Sequence, residues 1–308
     1  MIEVAGVTKS YGEQYVLTDV SFSAAGSAAV LGRKSSGKTA LADIITGCVY
    51  PESGSVSIFG IDMRSSPAEA KKALGYMPQQ LALYPEMTPA DYIGFVCSLR
   101  GIRGIGAKHA GDEALEKAAL PSLSCREIKG LSRYEQKRLS LAGAICGSPR
   151  ALILDEPTEG LLPEQSFAMR ETIKSLRGDH IILLFTRSIH EAADVCESVA
   201  VLKGGCITAR ETTEYLLKTT NRQRRITVKL KCGRQKGLVM LGAVEGVEYA
   251  EVTGGEGGVC DYLIEALRDV REDIFRAAVK EDIVMLGMGC VSVTLDDIYA
   301  GLTGGATE

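Results

Sequence analysis

The sequence predicts an α/β fold with a mixed sheet at its core, followed by a small α+β domain. A short apolar strand at residues 28–31 leads into a glycine loop and then into a helix. A second apolar run, at 151–154, ends in two acidic residues. Beyond residue 217 a polar, basic stretch gives way to alternating strands. A chain of 308 residues is long enough for one large domain and one small domain.

The glycine loop carries the first functional motif. Residues 32–39 fit the pattern G-x-x-x-x-G-K-[ST], and Ala40 opens the helix that follows. Backbone N–H groups at a helix N-terminus point toward an anion, and the helix dipole favours negative charge there. The pattern predicts a phosphate-binding P-loop, with Lys38 on the β- and γ-phosphates and Thr39 on Mg²⁺. The predicted loop residues are Gly32, Arg33, Lys34, Ser35, Ser36, Gly37, Lys38 and Thr39.

The two acidic residues, Asp155 and Glu156, follow an apolar run that is too short for a typical helix. A central parallel strand delivers carboxylates in this way to the edge of a sheet where nucleotides bind. We therefore expect Asp155 to bind Mg²⁺ through water and Glu156 to polarise the attacking water.

Two other polar side chains are weaker candidates. Tyr11 precedes Gly12 upstream of the P-loop, where it could stack on a nucleobase or simply sit in a turn. Gln79 leaves a predicted strand over 72–77 and could orient Mg²⁺ or a water, although loop glutamines are usually just solvated. Spacing alone leaves both questions open.

Helix starts are predicted by capping pairs, in which a Ser or Thr precedes an acidic residue by three positions. Further buried strands are predicted at 181–185 and 199–202, and a helix from Pro163. The region from about 84 to 146 is predicted to be mainly helical. The capping pairs are Ser66 with Glu69, Thr88 with Asp91, Ser132 with Glu135, and Ser188 with Glu191.

Composition narrows the class of protein. The net charge is −4, so the chain lacks the excess of basic residues that is typical of nucleic-acid-binding proteins, and we expect no nucleic-acid partner. The nine cysteines contain no C-x-x-C pair, which favours free, mostly buried thiols in a reducing cytosol. No apolar run approaches the roughly 20 residues of a membrane helix, and Met1 is not followed by a signal peptide. We expect a cytoplasmic protein that reaches a membrane only through a partner.

The last third of the chain is predicted to be separate from the nucleotide-binding part. Residues 217–225 are predicted to form a linker, and residues 226–308 a small α+β domain. Strands are expected at 226–230 and 259–264, a helix at 271–281, and a last helix capped by Thr294 and Asp297. Nothing there has catalytic spacing.

Taken together, the motifs over residues 1–216 resemble the ATP-binding subunit of an ABC transporter. Within that family they are most similar to subunits that drive ABC-2 type exporters, including gliding-motility-like ones. The resemblance implies a P-loop NTPase fold of the ABC type, with a helical subdomain at about 84–146 that carries the signature motif. It also implies a membrane-spanning permease as partner and a head-to-tail dimer with a second ATP-binding subunit, the same or different.

The resemblance assigns roles to several candidates. Tyr11 corresponds to the aromatic residue that stacks on adenine, and residues 32–39 to the loop that holds the phosphates. Gln79 corresponds to the glutamine that senses Mg²⁺ and touches the membrane partner. Asp155 and Glu156 correspond to the metal-binding aspartate and the catalytic glutamate. ATP and Mg²⁺ are therefore the implied cofactors.

The sequence departs from the family pattern in three motifs. The signature segment reads Leu131-Ser132-Arg133-Tyr134-Glu135, which keeps Ser132 as a nucleotide contact but replaces both glycines. Arg187 stands where the family has a switch histidine; it can contact a γ-phosphate but cannot shuttle a proton. Leu162 replaces an aspartate that couples the two sites. We therefore expect firm binding of Mg·ATP and slow hydrolysis, as in a heterodimer with a more typical subunit.

Other classes fit less well. Non-transport ABC proteins usually carry two ATPase domains or a long coiled-coil insertion, and neither is present. The signature-like segment shortly before Asp155 argues against a nucleoside or small-molecule kinase. A regulator that uses ATP only as a clamp stays open because of the altered motifs.

Overall fold

The computed structural model describes residues 1–120, 126–215 and 224–290. They belong to two compact units, one over residues 1–213 and one that begins at residue 214. Most of the predicted linker lies outside the described residues. Its last two residues, Arg224 and Arg225, already belong to the first strand of the second unit.

The first unit contains an antiparallel sheet and a mainly parallel sheet. The strands are β1 (Ile2–Tyr11), β2 (Gln14–Ala24), β3 (Ala28–Leu31), β4 (Ser53–Ile58), β5 (Ile61–Asp62), β6 (Leu74–Met77), β7 (Ala151–Asp155), β8 (Ile181–Thr186), β9 (Ser198–Lys203) and β10 (Cys206–Thr212). The antiparallel sheet has the order β2-β1-β4-β5. The other sheet has the order β10-β9-β3-β8-β7-β6, in which only the β10–β9 pair is antiparallel.

The parallel strands place the predicted motifs at one edge of the sheet. The carboxyl ends of β3, β6, β7 and β8 lie side by side, because parallel strands run in the same direction. The loops that leave these ends are where ligands bind in open α/β sheets. The predicted α/β class with a mixed sheet is therefore confirmed.

Helices cover this sheet and form a separate helical group. The first helix follows the glycine loop and buries Leu41 and Ile45 in the same core as Val30, Ile153 and Phe185. Among the described residues, no helix has the length and apolar character needed to span a membrane. The helices are α1 (Lys38–Ile45), α2 (Pro67–Lys72), α3 (Pro89–Leu99), α4 (Gly104–Lys117), α5 (Arg133–Ile145), α6 (Pro163–Ser175) and α7 (Ile189–Val195). Helices α3, α4 and α5 pack against one another.

Two of the predicted capping pairs are reciprocal capping boxes, at the starts of α3 and α5. Ser188 also caps α7 by accepting a hydrogen bond from the Glu191 N–H. The box predicted at Ser66 is wrong, because Ser66 donates its N–H to the Asp62 carbonyl and its side chain makes no cap bond. Helix α2 still begins at Pro67 and continues to Lys72, so the strand expected from residue 72 starts at residue 74.

The second unit has the βαββαβ order of a ferredoxin-like fold. Its antiparallel sheet has the order β12-β13-β11-β14, and Leu241 and Ile274 from the two helices pack on Val228. The predicted α+β class is therefore correct, while the helix expected after Thr294 lies outside the described residues. The elements are β11 (Arg224–Lys231), α8 (Arg234–Gly242), β12 (Val247–Gly254), β13 (Cys260–Ala266), α9 (Arg271–Lys280) and β14 (Val284–Cys290).

The cysteines of the described ranges are free thiols, as predicted. Cys97 and Cys146 face each other inside the helical group, with 3.1 Å between their Sγ atoms. Burial, and then the neighbouring thiol, raise the pKa of Cys146 to about 12. Because the thiolate is the reactive form, this thiol is expected to be inert.

Candidate functional site

Most of the predicted site residues converge at the carboxyl edge of the parallel sheet. The glycine loop follows β3, Gln79 follows β6, Glu156 follows β7 and Arg187 follows β8. They surround one cleft of about 540 Å³, which Gln14 and Val16 also line. The sequence-predicted residues that line it are Tyr11, Arg33, Lys34, Ser35, Gly37, Lys38, Thr39, Ala40, Gln79, Glu156 and Arg187.

The glycine loop has a backbone that side chains would disturb. Gly37 has φ 99°, and a Cβ atom there would lie 2.7 Å from the Val16 carbonyl oxygen. A Cβ on Gly32 would lie 2.8 Å from the Leu202 carbonyl oxygen. Ser36 is buried, and its hydroxyl has no hydrogen-bond partner. The loop therefore encloses a tight polar hollow at the N-terminus of α1, of the kind that receives an anion.

Lys38 is folded back onto its own loop. Its Nζ donates to the carbonyl oxygens of Gly32, at 2.7 Å, and Arg33, at 3.0 Å. The same Nζ lies 3.3 Å from Oε1 of Glu156. Burial lowers the pKa of Lys38, and the neighbouring Glu156 carboxylate opposes part of that effect. The ammonium group is thus held inside the cleft by carbonyls and by one carboxylate.

Oxygen ligands suited to Mg²⁺ meet beside the loop. The Thr39 hydroxyl donates to Oε1 of Gln79 at 3.2 Å, and the fully buried Asp155 carboxylate has no hydrogen-bond partner on either oxygen. Burial raises the pKa of Asp155 to about 6, although the nearby Thr39 hydroxyl opposes this shift. A buried carboxylate without a donor is costly unless a cation joins it. A hydroxyl, an amide oxygen and a carboxylate fit Mg²⁺.

Glu156 is fixed by its backbone as well as by its side chain. Its φ of 48° is unusual for a residue other than glycine. Its N–H donates to the Phe185 carbonyl oxygen at 2.9 Å, and its own carbonyl oxygen accepts from Nζ of Lys137 at 2.5 Å. The carboxylate lies between two cations, Lys38 and Arg187, whose Nε is 3.3 Å from Oε1 of Glu156.

Two site residues were not found from the sequence. Glu159 accepts a hydrogen bond from Nε2 of Gln79 at 2.7 Å and pairs with the Arg187 guanidinium. The Gln79 bond, assisted by Arg187, lowers the pKa of Glu159. Lys137, on α5, is fully buried, and burial lowers its pKa to about 8. Lys137 gave no signal in the sequence, because it stands among other charged and polar residues of α5 such as Arg133, Glu135 and Arg138.

Tyr11 and Ser132 occupy different positions relative to the cleft. Tyr11 ends β1 on the rim with 52% of its surface exposed, and Nζ of Lys9 lies 5.4 Å from its ring centroid. Its ring is therefore available for stacking. Ser132 is not among the residues that line the cleft and instead caps α5. Its N–H donates to Glu135 at 2.6 Å, and its hydroxyl accepts from the Glu135 N–H at 3.3 Å.

Comparisons with known proteins give the family. Residues 17–159 match the ABC transporter family. An uncharacterized ABC transporter ATP-binding protein, YxlF of Bacillus subtilis (strain 168), is 30% identical over 207 residues, which are 67% of this chain and 68% of that one. The Nod factor export ATP-binding protein I of Rhizobium etli is 32% identical over 208 residues, 66% of each chain.

Solved structures agree with these sequence matches. The dimeric structure of MJ0796, a bacterial ABC transporter cassette, is 25% identical with a TM-score of 0.63 and covers 69% of this chain and 99% of its own. The relatives named above match over about two thirds of their length. The chain therefore belongs to the family of ABC transporter ATP-binding proteins.

Proposed function

We propose that this chain is the ATP-hydrolysing subunit of an ABC exporter of the ABC-2 type. The observation that carries the proposal is the meeting of Lys38, Thr39 and Glu156 in one cleft, with the buried Asp155 carboxylate close to Thr39. We assign nucleotide binding to residues 1–216, with residues 84–146 as the helical subdomain. The linker proposed from residue 217 would then end before Arg224, the first residue of β11, and the domain that follows would have no catalytic role.

In this proposal the P-loop residues hold the triphosphate of ATP. Residues 32–40 supply backbone N–H groups at the start of α1, and Lys38 supplies a positive charge. Tyr11 stacks on the adenine from the rim of the cleft. Lys38 leaves the loop carbonyls and Glu156 when the phosphates enter, since one ammonium cannot serve all of these partners.

Three side chains would hold Mg²⁺, namely Thr39, Gln79 and Asp155. The ion, when bound, neutralises charge on the phosphoryl oxygens. Asp155 must be ionised for this role, and a nearby divalent cation favours its ionised form. Oε1 of Gln79 already accepts a hydrogen bond from the Thr39 hydroxyl, so the amide oxygen faces the side of the cleft where the ion would bind.

Glu156 is proposed to orient the attacking water and to accept its proton. The carboxylate is buried and lies 3.3 Å from each of two cations, Lys38 and Arg187. Arg187 cannot take up a proton, so its part is to add positive charge beside the γ-phosphate. Because Arg187 also binds Glu156, the water-activating carboxylate is partly neutralised. This supports slow turnover.

Export through a partner is proposed from the relatives. One relative bears the name of a Nod factor export ATP-binding protein, and a similar cassette has been solved as a dimer. We infer that this chain pairs with a second ATP-binding subunit, identical or different, and acts on a membrane-spanning permease. It would then work at the inner face of the cell membrane. The Glu135 carboxylate at the start of α5 favours a different subunit as partner, because it places a negative charge there and occupies the Ser132 N–H.

The test is Mg²⁺-dependent ATP turnover by the purified chain, by Glu156→Gln and by Lys38→Ala. Glu171→Gln on α6, an exposed carboxylate paired with Lys174, serves as the matched control for the charge change. We expect slow turnover in the parent and in Glu171→Gln, none in Glu156→Gln, and loss of ATP binding in Lys38→Ala. Parent protein that binds ATP without any turnover would contradict the hydrolase proposal and favour a nucleotide clamp.

A further inference from the structure

Side chains around the P-loop form a series of polar contacts that begins at Thr39 and ends at Lys38. Because these two residues are neighbours in α1, the helix backbone closes the series into a ring. The contacts run from Thr39 to Gln79 at 3.2 Å, from Gln79 to Glu159 at 2.7 Å, from Glu159 to Arg187, from Arg187 to Glu156 at 3.3 Å, and from Glu156 to Lys38 at 3.3 Å.

Glu159 is the member of this ring that joins two separate loops. One carboxylate oxygen accepts from Nε2 of Gln79, in the loop after β6. The other oxygen pairs with Arg187, in the loop after β8. Strand β7 lies between these two strands, so no backbone ladder connects the two loops directly. The Glu159 side chain is 30% exposed and has no role in the function proposed above.

We propose that Glu159 is a positioning residue for ATP hydrolysis, holding Gln79 and Arg187 in one orientation across the cleft. The inference rests on the proposed function. A charged acceptor makes stronger hydrogen bonds than a neutral one, and the two oxygens of one rigid carboxylate set the distance between their partners. Without Glu159 the Gln79 amide loses its acceptor, and Arg187 is left with Glu156 as its carboxylate partner in the ring.

Charge predicts how the loss of Glu159 divides between binding and turnover. The ring holds two cations, Lys38 and Arg187, and two carboxylates, Glu156 and Glu159. Removing one carboxylate beside an anion site does not weaken attraction for a triphosphate. Misplacing the groups that act on the γ-phosphate does slow the reaction. The expected signature is a lower kcat with the affinity for ATP kept or increased.

The experiment compares Glu159→Gln, Glu159→Ala and the control Glu171→Gln. Glutamine keeps the shape and one acceptor oxygen, whereas alanine removes both links. We expect kcat to fall about tenfold or more in Glu159→Ala, less in Glu159→Gln, and not in Glu171→Gln. The Kd for ATP should rise by no more than about threefold in both Glu159 variants, and a decrease in Kd is equally consistent with the loss of a negative charge.

A second comparison separates positioning from a general structural role. Glu159→Ala should have a much smaller effect on kcat in an Arg187→Ala background, because the two residues act as one unit. The nucleotide-free chain gives a readout that does not need turnover. The loss of melting temperature in Glu159→Ala should shrink in the Arg187→Ala background.

The outcomes are distinguishable. An active parent whose Glu159→Ala variant keeps full kcat, or whose losses simply multiply with those of Arg187→Ala, overturns the positioning role alone. A parent without turnover overturns the proposed function, and the melting comparison then decides whether the Glu159–Arg187 link exists. Equal melting losses in both backgrounds would also overturn the inference.

Discussion

Lys38 and Glu156 form a buried ion pair with 3.3 Å between Nζ and Oε1, and their side chains are only 6% and 8% exposed. The pair joins the loop after β3 to the end of β7, although β8 lies between these strands. Each charge partly compensates the desolvation of the other. An incoming triphosphate must therefore compete with Glu156 for the Lys38 ammonium.

The first prediction follows from this competition. Glu156→Gln should bind ATP more tightly than the parent, because Lys38 loses its carboxylate partner and the cleft loses one negative charge. We expect a decrease in Kd of about tenfold, or about 1.4 kcal/mol of binding free energy. Equilibrium binding of ATP without turnover measures this, with Glu171→Gln as the control. An unchanged or weaker affinity would show that the pair does not compete with nucleotide.

The second prediction concerns pH and Asp155. Burial raises the pKa of this carboxyl to about 6, above its ordinary value of about 4. Its contribution to stability is therefore fully present below about pH 4 and is lost as the pH rises through about 6. Metal binding has the opposite dependence, because only the ionised carboxylate binds Mg²⁺.

We thus expect the Mg²⁺-dependent part of ATP affinity to weaken as the pH falls through about 6. The measurement is the Kd for ATP with Mg²⁺ and with a chelator, across this range. Asp155→Asn controls for titration of the nucleotide itself and should show a smaller Mg²⁺ effect at every pH. The same pH step in parent and Asp155→Asn would exclude Asp155 as its origin.

The third prediction concerns the backbone of Gly37. An alanine Cβ there would approach the Val16 carbonyl oxygen to 2.7 Å, and φ is 99°. Gly60 also has positive φ, 83°, but open space around it. Gly37→Ala should lower the free energy of unfolding by about 2–3 kcal/mol, against about 1 kcal/mol for Gly60→Ala. Denaturant unfolding of both variants measures the two free energies. Equal losses of stability would mean that neighbouring atoms move and relieve the close contact at residue 37.

Local patterns predicted the elements that rest on neighbouring residues. The glycine loop, the short apolar strand before Asp155 and the helix start at Thr88 each depend on a few consecutive positions, and the structure has all three. The Ser66 box failed because Asp62, four residues upstream, takes the Ser66 N–H. A capping pattern cannot show that an earlier carbonyl is a competing acceptor.

Contacts across strands could not be read from the sequence. Glu159 meets Gln79, 80 positions away, because β6 and β7 are parallel neighbours. Lys137 reaches the Glu156 carbonyl only because α5 packs on β6, the strand next to β7. The strand order of the second unit was likewise not predictable, since alternation identifies strands but not their neighbours.

The fourth prediction tests Tyr11 as the adenine-stacking residue. Tyr11→Ala should weaken ATP binding by about 1–3 kcal/mol, as loss of a stacking aromatic does, while Tyr11→Phe should retain affinity. Tyr15 lies on the same hairpin with 65% exposure but does not line the cleft, so Tyr15→Ala is the matched control. The measurement is the affinity of each variant for ATP and for inorganic triphosphate, which has no adenine. Similar losses for both ligands would argue against stacking.

The fifth prediction concerns the N-terminus of α5, where the Glu135 carboxylate accepts from the Ser132 N–H at 2.6 Å. If the N-terminus of α5 faces the nucleotide of a second subunit, as in the family that this sequence resembles, the Glu135 carboxylate repels that nucleotide. Glu135→Gln should then increase ATP-dependent dimerisation of a Glu156→Gln chain. We expect this even though the weaker cap costs about 0.5–1 kcal/mol of stability.

The capping box of α3 provides the control for that prediction. Asp91 accepts from the Thr88 N–H and hydroxyl, so Asp91→Asn loses the same kind of cap at another helix. Sedimentation of both variants with and without ATP separates the two effects. Dimerisation that increases only in Glu135→Gln would assign the repulsion to the start of α5. No increase in Glu135→Gln, or an equal change in Asp91→Asn, would mean that the Glu135 carboxylate affects only the stability of α5. The charge of the altered signature segment would then not oppose dimerisation.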